Sequence, residues 1–199
     1  MSNPLMQYID QPSSLQLAQH GSRKFEGKVA EGYDPKREND PKWIIEQRII
    51  EDMLSDLPRD TKVLDCPVGT GRFLKCYSDK GFIVMGMDRS MDMLQQALVK
   101  GAPFSLRGEL RPGDIRKTGL PDKGVDVAVN CRITRWLIGD FGPQGIQDML
   151  REMQRIAKQR IIFTARVRNH RFADRYDLIQ SALDGWKIHR DETGVDLDY

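Results

Sequence analysis

The sequence lacks any apolar run long enough to span a membrane, and its polar start, Met1-Ser2-Asn3-Pro4, lacks the charged and apolar regions of a secretory signal. Cysteine is scarce, since Cys66, Cys76 and Cys131 are an odd number without C-x-x-C spacing, which argues against a disulfide framework and a zinc site. The histidines do not stand at metal-ligand spacing either, so we predict no metal. These absences predict a soluble, cytoplasmic protein with reduced thiols and no membrane partner.

Neither sign of charge is in large excess. The chain has 31 Lys and Arg against 29 Asp and Glu, a formal net charge of +2, so bulk electrostatics does not require a nucleic-acid partner. The length of 199 residues is enough for one α/β domain with a sizeable core, but not for an additional independent recognition domain. Composition does not predict an oligomeric state.

The first forty residues are polar and repeatedly broken by proline and glycine, so we predict an arm or lid over residues 1–40 and a single domain over 41–199. That domain opens with Asp40-Pro41, an N-cap residue followed by proline at the first helical position. Apolar residues then recur at helical spacing from Trp43 to Leu54, which predicts a helix packed on a sheet.

From Thr61 onwards strand-like and helix-like segments alternate, which predicts parallel strands joined by right-handed crossovers. The predicted strands are 62–66, 82–88, 105–111, 125–130, 160–165 and 186–192. The predicted helices are 71–79, 91–100, 144–158 and 172–183. The predicted fold is therefore α/β and Rossmann-like, a doubly wound, mostly parallel sheet with helices on both faces. Only residues 194–199 remain after the last strand, which predicts a short C-terminal edge.

The most informative segment is the run from Val63 to Leu74, where an apolar strand enters a glycine-bearing turn and a helix begins. Gly69 and Gly71 have no Cβ, so the backbone can adopt positive φ and approach a ligand, while the N–H groups that open the helix face it. A second apolar run ends in Asp88, near the distance of about twenty residues at which an acidic residue reaches ribose hydroxyls. The segment predicts a site for a nucleotide-like ligand.

These residues resemble the class I S-adenosylmethionine-dependent methyltransferases, whose first motif reads V-L-D-x-G-x-G-x-G. Asp65, Gly69 and Gly71 fall on that motif, and Asp88 falls on the acidic end of the second strand. The sequence departs from the motif at Pro67, where the family usually has its first glycine. Because proline fixes φ and offers no N–H, we expect this loop to approach the amino-acid end of the cofactor differently.

The resemblance extends from about Trp43 to Trp186, and it implies a role for each matching segment. Gly113-Asp114-Ile115 matches the pair that flanks the adenine, and residues 125–130 match the fourth strand. By resemblance, the first loop holds the amino-acid tail of S-adenosylmethionine and the end of the second strand holds the ribose. The end of the fourth strand closes the floor of the site beside the methionine part. The residues implied to bind the cofactor are Asp65, Pro67, Gly69, Thr70, Gly71, Asp88, Arg89, Met91, Asp114, Ile115 and Asn130.

No catalytic residue is predicted, because transfer from an already activated methyl donor needs mainly orientation and exclusion of water. Four side chains are candidate neighbours of the acceptor, although a structural role is the favoured interpretation for each: Tyr33, Arg132, Asp140 and His170. Residues 28–34 resemble, more loosely, a segment that closes over the cofactor in many small methyltransferases. An exposed turn around Tyr33 is the equally weighted alternative.

Basic residues at 166–171 directly follow the predicted fifth strand and fit a phosphate, a carboxylate or a nucleic-acid backbone. The alternative is a solvated rim balanced by Asp140 and Asp174. No N/D-P-P-Y/F segment follows the fourth strand, which disfavours amino-methylation of nucleic-acid bases. The sequence thus predicts methyl transfer to a small or anionic acceptor.

Three alternatives stay open at this point. A non-catalytic cofactor-binding or partner subunit could share the fold, since Pro67 and the short edge depart from the pattern. An RNA methyltransferase could use the basic rim. A nicotinamide oxidoreductase would need a third glycine where Leu74 stands.

Overall fold

The computed structural model describes residues 25–164. Several predicted features lie outside the described residues: the first part of the arm, the basic segment at 166–171, the helix at 172–183 and the strand at 186–192. Among the described residues, no helix is both long and apolar enough to cross a membrane.

The core of the fold is a parallel sheet of five strands in the order β3-β2-β1-β4-β5. The strands are β1 Lys62–Asp65, β2 Ile83–Asp88, β3 Arg107–Pro112, β4 Val125–Asn130 and β5 Ala157–Phe163. The chain reverses its direction of travel across the sheet between β1 and β4, which creates a topological switch point. The predicted parallel, doubly wound sheet is confirmed.

The helices of the described chain are α1 Lys28–Glu31, α2 Pro41–Met53, α3 Leu74–Lys80, α4 Met91–Gly101 and α5 Thr134–Ile156. The predicted cap of α2 is confirmed, because the Asp40 side chain accepts a hydrogen bond from the Lys42 N–H at 2.9 Å and Pro41 follows it. The start of α3 was predicted three residues too early, since residues 71–73 form a turn before the helix begins.

Two of the predicted boundaries around α5 were wrong. The helical segment begins at Thr134, well before the predicted start at residue 144, and Gly142 (φ 62°, ψ −162°) interrupts it ahead of Pro143. At its other end Ala157 already pairs with Val125 of β4, so β5 begins without an intervening loop. The first error arose at Gly142-Pro143, where the chain kinks within a continuing helical segment.

Alternating side chains of the strands feed two apolar clusters, one on each face of the sheet. In β1, Val63 belongs to the cluster that packs under α2, α3 and α4, whereas Leu64 belongs to the cluster that packs under α5. Val127 and Ala128 of β4 divide in the same way. Covering both faces buries most of the central strands β1 and β4 and leaves the carboxyl ends of the strands as the open edge where a ligand can bind.

Candidate active site

A cavity lies at the carboxyl ends of the strands, beside the switch point. Residues that directly follow β1, β2, β3 and β4 line it, and residues from the N-terminal segment and the start of α5 complete its wall. The strand-end contributors include Pro67, Gly69, Asp88, Asp114 and Arg132. The structure therefore brings together four loops that are far apart in the sequence, as the rule for open α/β sheets predicts.

The glycine loop after β1 is tied to the end of β2. Gly69 has φ 55°, and its N–H donates a hydrogen bond of 2.9 Å to Asp88 Oδ2. The other carboxylate oxygen of Asp88 accepts the Ser90 N–H at 2.8 Å. Burial raises the pKa of Asp88 to about 6, although these backbone donors act against that rise. Asp88 is thus a buried acceptor held in one orientation at the cavity wall.

Asp65 lies behind the cavity rather than on its wall. The side chain is 1% exposed, and Oδ2 accepts a hydrogen bond of 3.1 Å from the Tyr77 hydroxyl. Burial raises the pKa of Asp65 to about 8, with the hydrogen bond from Tyr77 opposing the shift. The first acidic residue of the motif therefore lies in the core, and its carboxyl group is mostly protonated at neutral pH.

Pro67 and Asn130 meet where β1 and β4 end. The Cys66–Pro67 peptide is cis, and the Cys66 carbonyl accepts a hydrogen bond of 2.7 Å from Asn130 Nδ2. Asn130 is fully buried, and its Oδ1 has no hydrogen-bond partner among the described residues. A buried acceptor without a donor is costly, and this one lies behind the residues that line the cavity.

Asp114, after β3, is held by two arginines. Its carboxylate accepts hydrogen bonds from the Arg116 side chain, one of them 2.6 Å long, and Arg89 Nε lies 3.8 Å from Oδ2. Burial alone would raise the pKa of Asp114, but the Arg116 hydrogen bonds lower it overall. The Arg116 guanidinium in turn stacks 3.4 Å from the ring centre of Phe141. Asp114 is therefore ionised and fixed at the cavity wall.

The predicted cofactor residues divide into two groups. Those that line the cavity are Pro67, Gly69, Asp88, Arg89, Asp114 and Ile115. Those that the structure places outside its lining are Asp65, Thr70, Gly71, Met91 and Asn130. Met91 is 40% exposed at the start of α4, and Met93 lines the cavity in its place. The reason is helical periodicity, since residues two positions apart face different sides of a helix.

The N-terminal segment of residues 25–34 lines one side of the cavity and is attached to its loops. The Ser90 hydroxyl donates 2.7 Å to the Phe25 carbonyl, and the Gly27 N–H donates 2.6 Å to Asp92. At the other end of the segment, Asp34 accepts the Thr70 hydroxyl at 2.6 Å and forms an ion pair with Lys100 on α4. The contacts to Thr70 and Ser90 therefore attach the segment to the same loops that contain Gly69 and Asp88.

Aromatic rings from this segment and from α5 form one side of the cavity, which we call the aromatic wall: Phe25, Tyr33 and Trp136. Phe25 packs edge-to-face on Trp136 at 5.5 Å and on Tyr33 at 6.0 Å between ring centres. Burial raises the pKa of Tyr33, although neighbouring arginines oppose the rise, so the phenol is neutral at physiological pH. The sequence interpretation included Tyr33 but missed the other two rings.

Beside the aromatic wall, Arg132 projects from the loop after β4 in a left-handed conformation, with φ 60°. Its backbone N–H donates 2.9 Å to the Thr164 hydroxyl, and its Nε donates 2.6 Å to Glu46 Oε2. Glu46 was missed as well, although the spacing Trp43, Glu46, Ile50 on the buried face of α2 was a usable signal. Of the remaining candidates, Asp140 lines the cavity and His170 lies outside the described residues.

A family model described as a methyltransferase domain matches residues 64–164, from β1 to the end of β5. Among solved structures, S-adenosylmethionine-bound magnesium protoporphyrin IX methyltransferase from Synechocystis PCC 6803 has a TM-score of 0.63 at 14% identity, over 84% of this chain and 85% of that one. A TehB-like S-adenosylmethionine-dependent methyltransferase from Corynebacterium glutamicum has a TM-score of 0.57 at 21% identity, over 78% and 83%.

A Pyrococcus horikoshii protein is similar at a TM-score of 0.56 and 23% identity, over 83% of this chain and 75% of that one. The match covers a smaller share of some other structures. It spans 51% of a Methanosarcina mazei S-adenosylmethionine-dependent methyltransferase and 38% of a Haemonchus contortus phosphoethanolamine N-methyltransferase. No curated protein matches the sequence. At these identities the structural likeness shows the fold.

The family match shows which family the chain belongs to, whereas the structural likeness shows only the fold. It spans residues 64–164 of a chain of 199, which is more than half of the sequence, and it contains every strand of the sheet from Leu64 onwards. The glycine loop, the acidic end of β2 and the strand order agree with it. The chain therefore belongs to the class I S-adenosylmethionine-dependent methyltransferases, and S-adenosylmethionine is its cofactor.

Proposed function

We propose that the protein transfers the methyl group of S-adenosylmethionine to a small, anionic acceptor held in the cavity beside the switch point. The observation that carries the proposal is the composition of that single cavity. One side consists of the strand-end loops that contain Gly69, Asp88 and Asp114, and the other side consists of the aromatic wall and Arg132.

The first side fits the cofactor in three respects. A Cβ added to Gly69 would meet no atom within 4 Å, so open space borders the backbone at this positive-φ turn. Asn130, whose buried Oδ1 has no donor among the described residues, lies behind the lining and would close the floor beside the methionine part. Asp88 offers carboxylate lone pairs beyond the two backbone hydrogen bonds, which suit the ribose hydroxyls.

The predicted roles of the adenine-side residues follow the same logic. The fixed carboxylate of Asp114 suits the amino group of the adenine, and the backbone of Ile115 suits a ring nitrogen. Arg89 borders the same part of the cavity. Asp65 and Gly71 would support the loop from behind rather than touch the cofactor, since neither lines the cavity.

When bound, S-adenosylmethionine supplies a methyl group already activated by its sulfonium. The protein's contribution is then to orient the acceptor and to exclude water. The aromatic wall serves the second purpose, because Phe25 and Trp136 close one side of the cavity with apolar surface. No residue is assigned as a general base.

The size of the acceptor follows from the N-terminal segment. Phe25 and Tyr33 line the cavity, and their segment is attached to the start of α4 through Ser90 and to the glycine loop through Thr70. A cavity walled on one side by this segment favours a small molecule over a folded nucleic acid or protein. This placement also supports the division into a lid at residues 1–40 and a domain at 41–199. The free cysteines support a cytoplasmic location.

Calorimetry with S-adenosylhomocysteine and with NAD tests the cofactor half of the proposal. We expect binding of S-adenosylhomocysteine and none of NAD; the reverse would end the methyltransferase proposal. Incubation with labelled cofactor and size-fractionated cell extract then tests the acceptor half. Label in small metabolites would support it, label in RNA or protein would contradict it, and cofactor binding without any transfer would favour a non-catalytic subunit.

A further inference from the structure

The N-terminal segment of residues 25–34 is attached at both of its ends to loops that surround the cavity. At its first residue, the Phe25 carbonyl accepts a hydrogen bond of 2.7 Å from the Ser90 hydroxyl. At its last residue, Asp34 Oδ1 accepts a hydrogen bond of 2.6 Å from the Thr70 hydroxyl. The segment therefore bridges the end of β2 and the glycine loop.

The two points of attachment are also joined to each other, through Asp88. Its carboxylate accepts the N–H of Gly69, the residue before Thr70, at 2.9 Å and the N–H of Ser90 at 2.8 Å. Followed in order, these contacts form a closed ring that runs from the segment to the glycine loop, through Asp88 to the end of β2, and back to the segment. The position of the segment and the conformation of the glycine loop are thus mutually dependent.

Thr70 is the point at which the segment restrains the glycine loop. It stands between Gly69 (φ 55°) and Gly71 (φ 80°), and glycine backbone has the most conformational freedom to lose. Thr70 is buried but does not line the cavity, so its hydroxyl serves the loop and not a ligand. A loop that is already held in one arrangement loses less conformational entropy when a ligand binds to it.

Asp34 is held from a second side, and it is adjacent to a residue of the cavity wall. Its other carboxylate oxygen forms an ion pair with Lys100 in the last turn of α4. Both side chains of that pair are partly exposed, so the pair itself contributes little stability. Tyr33, the residue before Asp34, lines the cavity. The same carboxylate therefore fixes the glycine loop and the chain next to Tyr33.

We propose that Asp34 is a positioning residue that couples the N-terminal segment to the glycine loop through Thr70. Cofactor bound at the loop holds the segment in place at the cavity wall, and the segment in turn slows the release of the cofactor. Coupling of this kind is reciprocal, so each effect requires the other. The inference rests on the proposed function, because it requires the cofactor to occupy the side of the cavity that contains Gly69 and Asp88.

The rate at which S-adenosylhomocysteine dissociates from the full chain, measured by stopped flow, tests the coupling. Asp34→Ala and Thr70→Val should each speed dissociation at least about tenfold, the equivalent of one hydrogen bond to a charged group. Asp34→Asn keeps an oxygen that accepts from the Thr70 hydroxyl, so it should speed dissociation less than Asp34→Ala does. Glu31→Gln removes a carboxylate from an exposed position in the same segment and should leave the rate unchanged.

The double variant Asp34→Ala/Thr70→Val shows whether the two residues act through their shared hydrogen bond. Both substitutions remove the same contact, so the double variant should release S-adenosylhomocysteine no faster than the faster of the two single variants. If the two increases in rate multiplied, the residues would act independently and the coupling through this bond would be wrong. Release at the parent's rate from both single variants would overturn the proposal as well.

Hydrogen exchange at the backbone amides of residues 27–33 separates coupling from a purely structural role. S-adenosylhomocysteine should slow this exchange in the parent, and much less in Asp34→Ala and Thr70→Val. An equal slowing in the parent and in both variants would mean that Asp34 only stabilises the segment, and would contradict the proposal. The thermal midpoint of each variant shows that it is folded. A parent that does not bind S-adenosylhomocysteine would instead contradict the proposed function itself.

Discussion

Asp88 is the residue on which the proposed cofactor site depends most directly. Both of its carboxylate oxygens are already engaged, by the Gly69 N–H and the Ser90 N–H, so the side chain links two loops as well as facing the cavity. A single carboxylate in this position can hold the loops and the ribose together, because each oxygen has two lone pairs.

We predict that Asp88→Ala weakens S-adenosylhomocysteine binding by about 1.5–3 kcal/mol, the range for losing hydrogen bonds to a charged group. Calorimetry measures the effect, and circular dichroism checks that the variant is folded. A folded variant with the parent's affinity would show that the end of β2 does not hold the cofactor.

Asp65 differs from Asp88 in that its protonation affects the free energy of unfolding. Its pKa is raised from 3.8 to about 8 in the folded protein, chiefly by burial. Between these values the unfolded chain has released the proton and the folded chain retains it, so the free energy of unfolding falls as pH rises. The favourable contribution is complete below the unfolded pKa and is lost as pH rises through about 8.

Asp65→Asn removes this titration. We therefore predict that the free energy of unfolding of the variant, relative to the parent, increases steadily between pH 5 and pH 7.5, about the window that the two pKa values define. Urea unfolding of both proteins across that range measures the difference. A difference that does not vary with pH would contradict the buried, proton-holding carboxyl.

The loop that connects β1 to α3 contains two glycines with different functions. Gly71 has φ 80°, and a Cβ there would lie 2.5 Å from Leu74 Cδ1 and 3.2 Å from the Ala97 backbone. Gly69 also has positive φ, but a Cβ there would meet no protein atom within 4 Å. The loop thus needs one glycine for packing between helices and one for access of the ligand.

We predict that Gly71→Ala lowers the free energy of unfolding by about 2–4 kcal/mol, from backbone strain and overpacking together. Gly69→Ala should cost only the strain of about 1–2 kcal/mol, while weakening S-adenosylhomocysteine binding. Chemical denaturation and calorimetry on the two variants separate these effects. Equal loss of stability in both would remove the distinction between the glycines.

Helices and strands were predicted well where local signals agree and less well where they compete. Asp40-Pro41 gives α2 an unambiguous start, and the glycine turn separates β1 from α3. Around Gly142 and Pro143 the local signal indicated a loop, yet packing of α5 keeps helical segments on both sides of a kink. Contacts with the sheet outweigh the local preference there.

The whole molecule is held together by burial on both faces of the sheet, and α5 alone covers one of them in the described residues. Leu150 on α5 is fully buried in that cluster. It does not line the cavity, so its packing affects the stability of the domain without altering the active site.

We predict that Leu150→Ala lowers the free energy of unfolding by about 2–5 kcal/mol, the cost of lost burial plus a cavity. Val99→Ala is the control, because Val99 on α4 is 63% exposed, and it should change stability by about 0.5 kcal/mol or less. Thermal and urea unfolding give the comparison, with S-adenosylhomocysteine affinity of the folded fraction unchanged in both. Similar losses for the two variants would contradict the assignment of the core.

The sequence by itself determined the alternation of strands and helices, the glycine turn and the acidic end of β2, and through them the family and its cofactor. These features are encoded within short segments, where glycine, proline and apolar periodicity act on the local backbone. Only the tertiary structure decided which side chains share the cavity. Phe25 meets Trp136, and Glu46 meets Arg132, across long separations in the chain. Such contacts depend on how the helices pack on the sheet, and no local pattern specifies them.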